Sequence, residues 1–145
     1  LKKGSNGKYT GFMNINNNDS TMKLLKLGLD ASSLRGETIA NNMANVNTED
    51  YKKSYVKFEE NLSNEINKIS LKKTRVEHLN GSSDSDSALI SVEQDNSTSM
   101  RTDGNNVDID LEKVNQAANS LMYNALITQA NSKLSMTKSV INGGN

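Results

Sequence analysis

The stretch Met22–Val46, MKLLKLGLDASSLRGETIANNMANV, decides the fold. Met22, Leu25, Leu29, Ser32, Gly36, Ile39, Met43 and Val46 stand alternately three and four positions apart, the 3.5-residue repeat of a helix lying along another helix. Small residues occupy the middle of this seam, and Gly36, Ala40 and Ala44 let a second backbone come close. Leu27, Ala31 and Leu34 form another apolar line on an adjacent face, so the helix is expected to touch more than one partner. Asp19, Ser20 or Thr21 is expected to cap it, since each carries an oxygen that can accept from unpaired first-turn N–H groups.

A second helical stretch lies at the other end of the chain. Leu111, Val114, Ala118, Leu121 and Ala125 make one apolar line, and Tyr123, Ile127, Ala130, Leu134, Thr137 and Ile141 make another. Asp108, Asp110 and Glu112 place negative charge at the positive end of the helix dipole. Lys133 and Lys138 lie toward the opposite end, and Gly143 can terminate the helix.

Between these stretches the chain is polar. Tyr55, Val56, Phe58, Leu62, Ile66 and Ile69 suggest an extended segment passing into a short helix. Val76 and Leu79, then Leu89, Ile90 and Val92, can form short strands on either side of the loop-forming run Asn80–Ser87. The expected fold is therefore mainly α: two long terminal helices packing as a coiled-coil-like pair, with a small irregular middle region containing a short β-hairpin. The expected divisions are a flexible N-terminal segment at 1–20, a helix at 21–48, an irregular outer region at 49–102 and a second helix at 103–145. Leu1–Phe12 precede the first methionine, Met13, and are set aside as expected non-native sequence.

Composition limits what such a chain can do by itself. Hydrophobic residues make up 34% and aromatics 4% of 145 residues, which leaves little for a large private core. On the first helix Ser32 and Gly36 bury almost nothing. The remaining seam side chains offset only part of the entropy lost on ordering the backbone, so the helix needs the C-terminal one and other subunits. Both ends are accordingly expected to be loose in an isolated copy. The alternative left open by the pattern is a two-helix hairpin whose stripes are satisfied within one chain.

The 17 basic and 17 acidic residues cancel and no basic run exceeds Lys72-Lys73, which argues against nucleic acid and anionic membrane surfaces. No apolar run approaches the ~20 residues that span a bilayer, so no membrane insertion is expected. The absence of cysteine removes disulfides and thiolate metal sites.

Catalytic and metal chemistry finds no foothold either. Asp103, Asn105, Asp108 and Asp110 resemble a calcium loop, but the fifth and sixth positions, which need an oxygen ligand and Gly, are Val107 and Asp108. Capping and turn formation account for them better. His78 is the only histidine, and the carboxylate pairs Glu59-Glu60 and Asp84/Asp86 have no pocket-forming neighbours to shift a pKa. No enzymatic activity and no cofactor are expected.

The fourteen positions Ile39–Lys52, with Ala40, Asn41, Asn42, Asn45, Asn47, Thr48 and Tyr51, resemble the N-terminal signature of the bacterial flagellar axial proteins of rod, hook and hook-associated segments. In that family an Asn-rich turn is usually followed by Thr-Pro-Gly-Tyr. Here Thr48-Glu49-Asp50-Tyr51 lacks the Pro and the Gly, so the geometry of this turn stays open. Asp103, Gly104, Asn105, Asn106, Val107 and Asp108, opening the second helix, are similar to the C-terminal signature of a proximal rod subunit of the family.

The resemblance implies a structural subunit of the flagellar rod, the drive shaft that carries torque across the envelope, placed in the periplasmic part of the basal body. It implies polymerisation through Leu25, Leu29, Gly36, Ile39, Met43, Val46, Leu111, Val114, Leu121, Leu126 and Leu134. The implied partners are further copies, other rod proteins, the adaptor joining rod to membrane ring, and the type III export apparatus, which would pass the chain without a cleaved signal peptide. A non-polymerising helical binding module, such as an export chaperone or adaptor, is the alternative. A peptidoglycan hydrolase is a third, suggested only by where a rod must pass.

Overall fold

The computed structural model describes residues 15–71, 89–97 and 101–143. Helix α1 (Ile15–Ala44) leads to strand β1 (Ser54–Lys57), helix α2 (Glu59–Leu71), strand β2 (Ser91–Gln94) and helix α3 (Ile109–Ile141). The molecule is mainly helical, and α1 packs along α3. The contacts run oppositely in number: Ser32 meets Asn119 and Asn42 meets Glu112, so the pair is antiparallel.

Helix α1 begins before the expected cap, so Asp19, Ser20 and Thr21 lie inside it, and it ends at Ala44 rather than Thr48. Its buried residues Leu25, Gly28, Ala31, Ser32, Thr38, Ile39 and Asn42 follow three-four spacing. The expected seam had the right period and mixed two faces: Met22, Leu29, Gly36 and Met43 are only half-buried. Gly28 and Gly36 mark close approaches to α3. A Cβ on Gly28 would touch Leu126 at 3.4 Å, and one on Gly36 would reach Asn119 Nδ2 at the same distance.

Helix α3 starts as its sequence indicates. The Asp108 side chain accepts from Asp110 N at 3.0 Å and Leu111 N at 3.2 Å, taking up two first-turn donors. Asp110 adds negative charge to that turn and Lys138 positive charge to the last, and Gly143 follows the end with a φ of +76°. Glu112 is in that first turn as well, but it turns inward and is buried.

The sheet is two antiparallel strands, with Ser54 opposite Gln94, Tyr55 opposite Glu93, Val56 opposite Val92 and Lys57 opposite Ser91. Val92 therefore pairs with β1, and Leu89 and Ile90 precede the strand instead of forming it. Val76 and Leu79, with the run Asn80–Ser87, His78, Asp84, Asp86 and Leu1–Phe12, lie outside the described residues. Val56, Phe58 and Val107 are buried at this end of the hairpin, and Lys57 joins Glu93 across the strands at 3.0 Å. On α2, Asn61 Nδ2 donates to Lys57 O, Leu89 O and Ser91 Oγ, tying that helix to both strands.

Candidate functional site

Two features stand out: a hydrogen-bonded joint where the terminal helices meet the loops, and apolar side chains of α3 that no described residue covers. The joint begins with a need. A helix end leaves carbonyls without intrahelical partners, and the turn that follows α1 adds those of Asn45, Val46 and Thr48. Asn105 supplies the donor. Its Nδ2 reaches Asn45 O at 2.9 Å, Val46 O at 3.1 Å and Thr48 O at 2.8 Å, while its Oδ1 accepts from Val107 N at 2.8 Å. The residue is completely buried. Arg101 adds a bond from Nη1 to Val46 O at 3.0 Å and pairs with Asp103 at 2.6 Å.

Asn106 has a different task. Its Oδ1 accepts from Lys53 N at 2.7 Å and its Nδ2 donates to Asp95 O at 2.8 Å, which clamps the start of β1 to the residue after β2. Lys52 Nζ donates to Gly104 O at 2.7 Å, and Asp50 N to Asp103 O at 2.9 Å. Asp50 adopts a φ of +57°, in the left-handed region, and Gly104 a φ of +75° beside it. This settles the turn after Thr48: the chain keeps a left-handed residue at 50 without the glycine that favours it. A Cβ on Gly104 would collide with Asp50 Oδ1 and would stand on a left-handed backbone, so position 104 favours the residue without a side chain.

Burial alone would raise the Asp103 carboxyl, but the Asn105 N–H and the Arg101 guanidinium outweigh it and hold the group below its ordinary 3.8. Asn42 is the corresponding centre on α1. Its Oδ1 accepts from Tyr51 Oη and Ser54 N at 3.1 and 2.9 Å, and its Nδ2 donates to Ser54 O and Glu112 Oε2 at 2.8 and 3.2 Å. Every bonding position of this buried amide is used. Further along, Ser32 Oγ donates to Asn119 Oδ1 and Asn119 Nδ2 to Ser32 O, both at 2.9 Å. The seam between the helices thus combines these polar contacts with the buried Leu25, Ala31 and Ile39.

Its consequence lies on the far side of α3. Leu121 and Val114 come two residues after the seam positions Asn119 and Glu112, about 200° around the helix, and are 73% and 65% exposed. Leu111 and Leu134 are also exposed, as are Met136, Val140 and Ile141. Of the residues expected to form assembly faces, Leu25 and Ile39 are buried, and Leu29, Gly36, Met43, Val46 and Leu126 are half-buried. Leu25 and Ile39 lie in the seam of the hairpin, and Gly36 and Leu126 border it. Leu111, Val114, Leu121 and Leu134 remain open.

The motif residues divide in the same way: Asn42, Asn105 and Val107 are buried and Asn45, Tyr51, Asp103, Gly104 and Asn106 half-buried, while Ala40, Asn41, Asn47, Thr48 and Asp108 face outward. Sequence reasoning missed Asn119 and Glu112 as seam residues. Counting down by sevens from Leu126 finds both. It also missed the clamp in which Arg35 Nη2 holds both oxygens of Glu59, at 2.9 and 2.7 Å.

The first of the two interlocked motifs, Asn41–Tyr51, falls within what is shared with a known family. A family model described as "Flagella basal body rod protein" matches residues 28–52, the second half of α1 and the turn that Asn105 caps. The flagellar basal body rod protein FlgB of Bacillus subtilis (strain 168) is 35% identical over 124 residues, covering 86% of this chain and 95% of that protein. The chain belongs to the FlgB family of flagellar basal body rod proteins. FlgB of Borrelia hermsii is 36% identical over 102 residues, covering 66% of this chain and 76% of its own. FlgB of Buchnera aphidicola is 28% identical over 133 residues, 88% of this chain and 96% of that protein. Membership of the FlgB family makes this chain a component of the flagellar basal body rod, associated with other basal-body components. No helix among the described residues is long and apolar enough to cross a membrane.

Proposed function

We propose that this chain is a structural, non-catalytic subunit that polymerises through its terminal helices into part of the torque-transmitting proximal rod, in the periplasmic space. The supporting observation is the orientation of α3: it turns Glu112 and Asn119 toward α1, which leaves Val114 and Leu121, 65% and 73% exposed, on the side away from the hairpin. A contiguous apolar stripe on a long helix is stabilised when neighbouring subunits cover it. Contact between unlike faces of identical copies extends into an open helix when the rotation does not close, which is the form a shaft requires. The joint at Asn105 and Asn42 complements this by fixing where the outer loops stand relative to the helical pair.

The partners on this reading are further copies, other rod proteins and the adaptor to the membrane ring. Delivery is through the flagellar type III export apparatus without a cleaved signal peptide. Leu121→Asp tests the role of the stripe. Because Leu121 touches solvent in the hairpin, the variant keeps its helix content and thermal midpoint, yet it is lost from basal bodies and its cells do not swim. Normal swimming with Leu121→Asp present in rods would contradict the proposal. A non-polymerising chaperone would show the opposite pattern, binding a partner in the cytoplasm and never appearing in purified basal bodies.

A further inference from the structure

Glu112 is the only charged residue among the described residues that is buried, at 4% exposure. It lines a groove of about 340 Å³ between α1, α3 and β1, whose walls include Arg35, Tyr55, Asn115, Asn119 and Met122. Its Oε2 accepts from Asn42 Nδ2 at 3.2 Å, and among the described residues its Oε1 accepts only from Asn115 Nδ2, at 3.5 Å. No cation among the described residues pairs with it. Arg35, on the groove wall, is already committed to both oxygens of Glu59. A carboxyl group taken out of water and held by amides alone has much to gain from a cation, and the groove leaves room for one to enter.

The same helix carries such a cation at its other end. Beyond Glu112, α3 has no acidic residue, and its charged side chains are Lys113, Lys133 and Lys138. Lys113 is next to the groove and pairs with Asp110 at 3.6 Å, and Lys133 is half-buried. Lys138 is exposed, pairs with no carboxyl among the described residues, and stands among Leu134, Met136, Val140 and Ile141, which are 53–77% exposed. One end of the hairpin is therefore an apolar knob with an exposed ammonium group, and the other is a half-apolar groove with a buried carboxyl at its floor.

We propose that the last turns of α3 of one copy seat in the Glu112 groove of the next, with Lys138 facing Glu112. This head-to-tail joint rests on the rod reading above and specifies one contact within it. The two surfaces are on opposite ends of the molecule, so the contact repeats along a line without closing on a pair.

The chain has no cysteine, which gives a direct test. Cells would carry two kinds of copy, one with Asn115→Cys in the groove and one with Ile141→Cys in the last turn, and isolated basal bodies would be mildly oxidised. The expected result is a disulfide-linked pair containing one copy of each kind. Adding Glu112→Gln to the first kind, or Lys138→Gln to the second, should lower its yield at least about tenfold, as loss of one partner of a buried charge pair does. Glu112→Gln preserves shape and the acceptor for Asn42, so the helix content of the free chain should not change.

Normal rods with no linked pair would overturn the joint and leave the rod reading standing, as would a disulfide from the Asn115→Cys copy to a different rod protein. If the cysteine copies fail to enter rods, incorporation of the glutamine variants decides: a tenfold loss supports the joint and unchanged incorporation overturns it. Absence of the unmodified chain from basal bodies would sink both.

Discussion

Removing the Asn105 side chain takes the donor from three carbonyls and the acceptor from Val107 N in one step. Asn105→Ala should therefore destabilise the chain by about 2 kcal/mol, read as a lower urea midpoint. Asn105→Asp, which faces the same carbonyls with oxygens and no donor, should do at least as much harm. Gly104 and Asp50 make a coupled pair. Gly104→Ala should cost about 1–3 kcal/mol, because its Cβ meets Asp50 Oδ1 in a left-handed backbone. Asp50→Gly alone should be within about 0.5 kcal/mol of the parent, since relief of the left-handed conformation is offset by a more flexible unfolded chain. The double variant should recover part of the Gly104→Ala loss, and strict additivity would contradict the contact. The motif at 103–108 was legible as a turn and a helix start because its bonds to Asp110 and Leu111 are local. Its grip on Asn45 was not legible, because a side-chain bond across about sixty residues leaves no periodic trace.

The pairing of α1 with α3 was legible at the level of elements and misassigned at the level of faces. Apolar residues gave the period, but the positions that meet include Ser32, Asn42, Glu112 and Asn119, and a polar residue on a helix is ordinarily read as solvent-facing. Heptad spacing carried the information that polarity hid. The small antiparallel sheet expected in the middle region is present, and Val92 lies in it. Its partner is Ser54–Lys57, which precedes α2, a pairing across a long connection that local patterning does not reveal, while Val76 and Leu79 lie outside the described residues. Helix α2 is tied to α1 by the Arg35–Glu59 clamp, with a pH signature. Burial raises the Glu59 carboxyl, but the Arg35 hydrogen bond, its own N–H and the guanidinium charge prevail, leaving it below its ordinary 4.5. The folded chain thus binds fewer protons than the unfolded one around that pH. The clamp's contribution is full above about pH 4.5 and is lost as pH falls through the lower folded value. Urea midpoints should decline below that pH in the parent and decline less steeply in Glu59→Gln. Equal slopes would show that the clamp contributes nothing, as exposed ion pairs sometimes do.

For the molecule as a whole, the balance of apolar surface carries the functional argument. Six hydrophobic residues are buried among the described residues and fifteen large ones are exposed, nine of them on α3 from Val114 onward. Scarcity of aromatic and apolar residues foretold a small private core, and the structure adds where the surplus lies: along α3, with Val114 and Leu121 on the side turned away from α1. A hairpin forms within one chain, as the simpler alternative from the pattern allowed, yet its stripes are not satisfied there. The proposed rod supplies the missing cover. Leu121→Cys tests this most directly, since it introduces the only thiol, at the centre of the exposed stripe, with a small apolar substitute. Its rate of reaction with a maleimide would be compared between the free chain and basal bodies isolated from swimming cells. Fast labelling of the free chain and strong protection in the basal body is the predicted result. Equal rates in both would mean that no neighbour covers the stripe, contradicting the proposal that this helix face builds the rod.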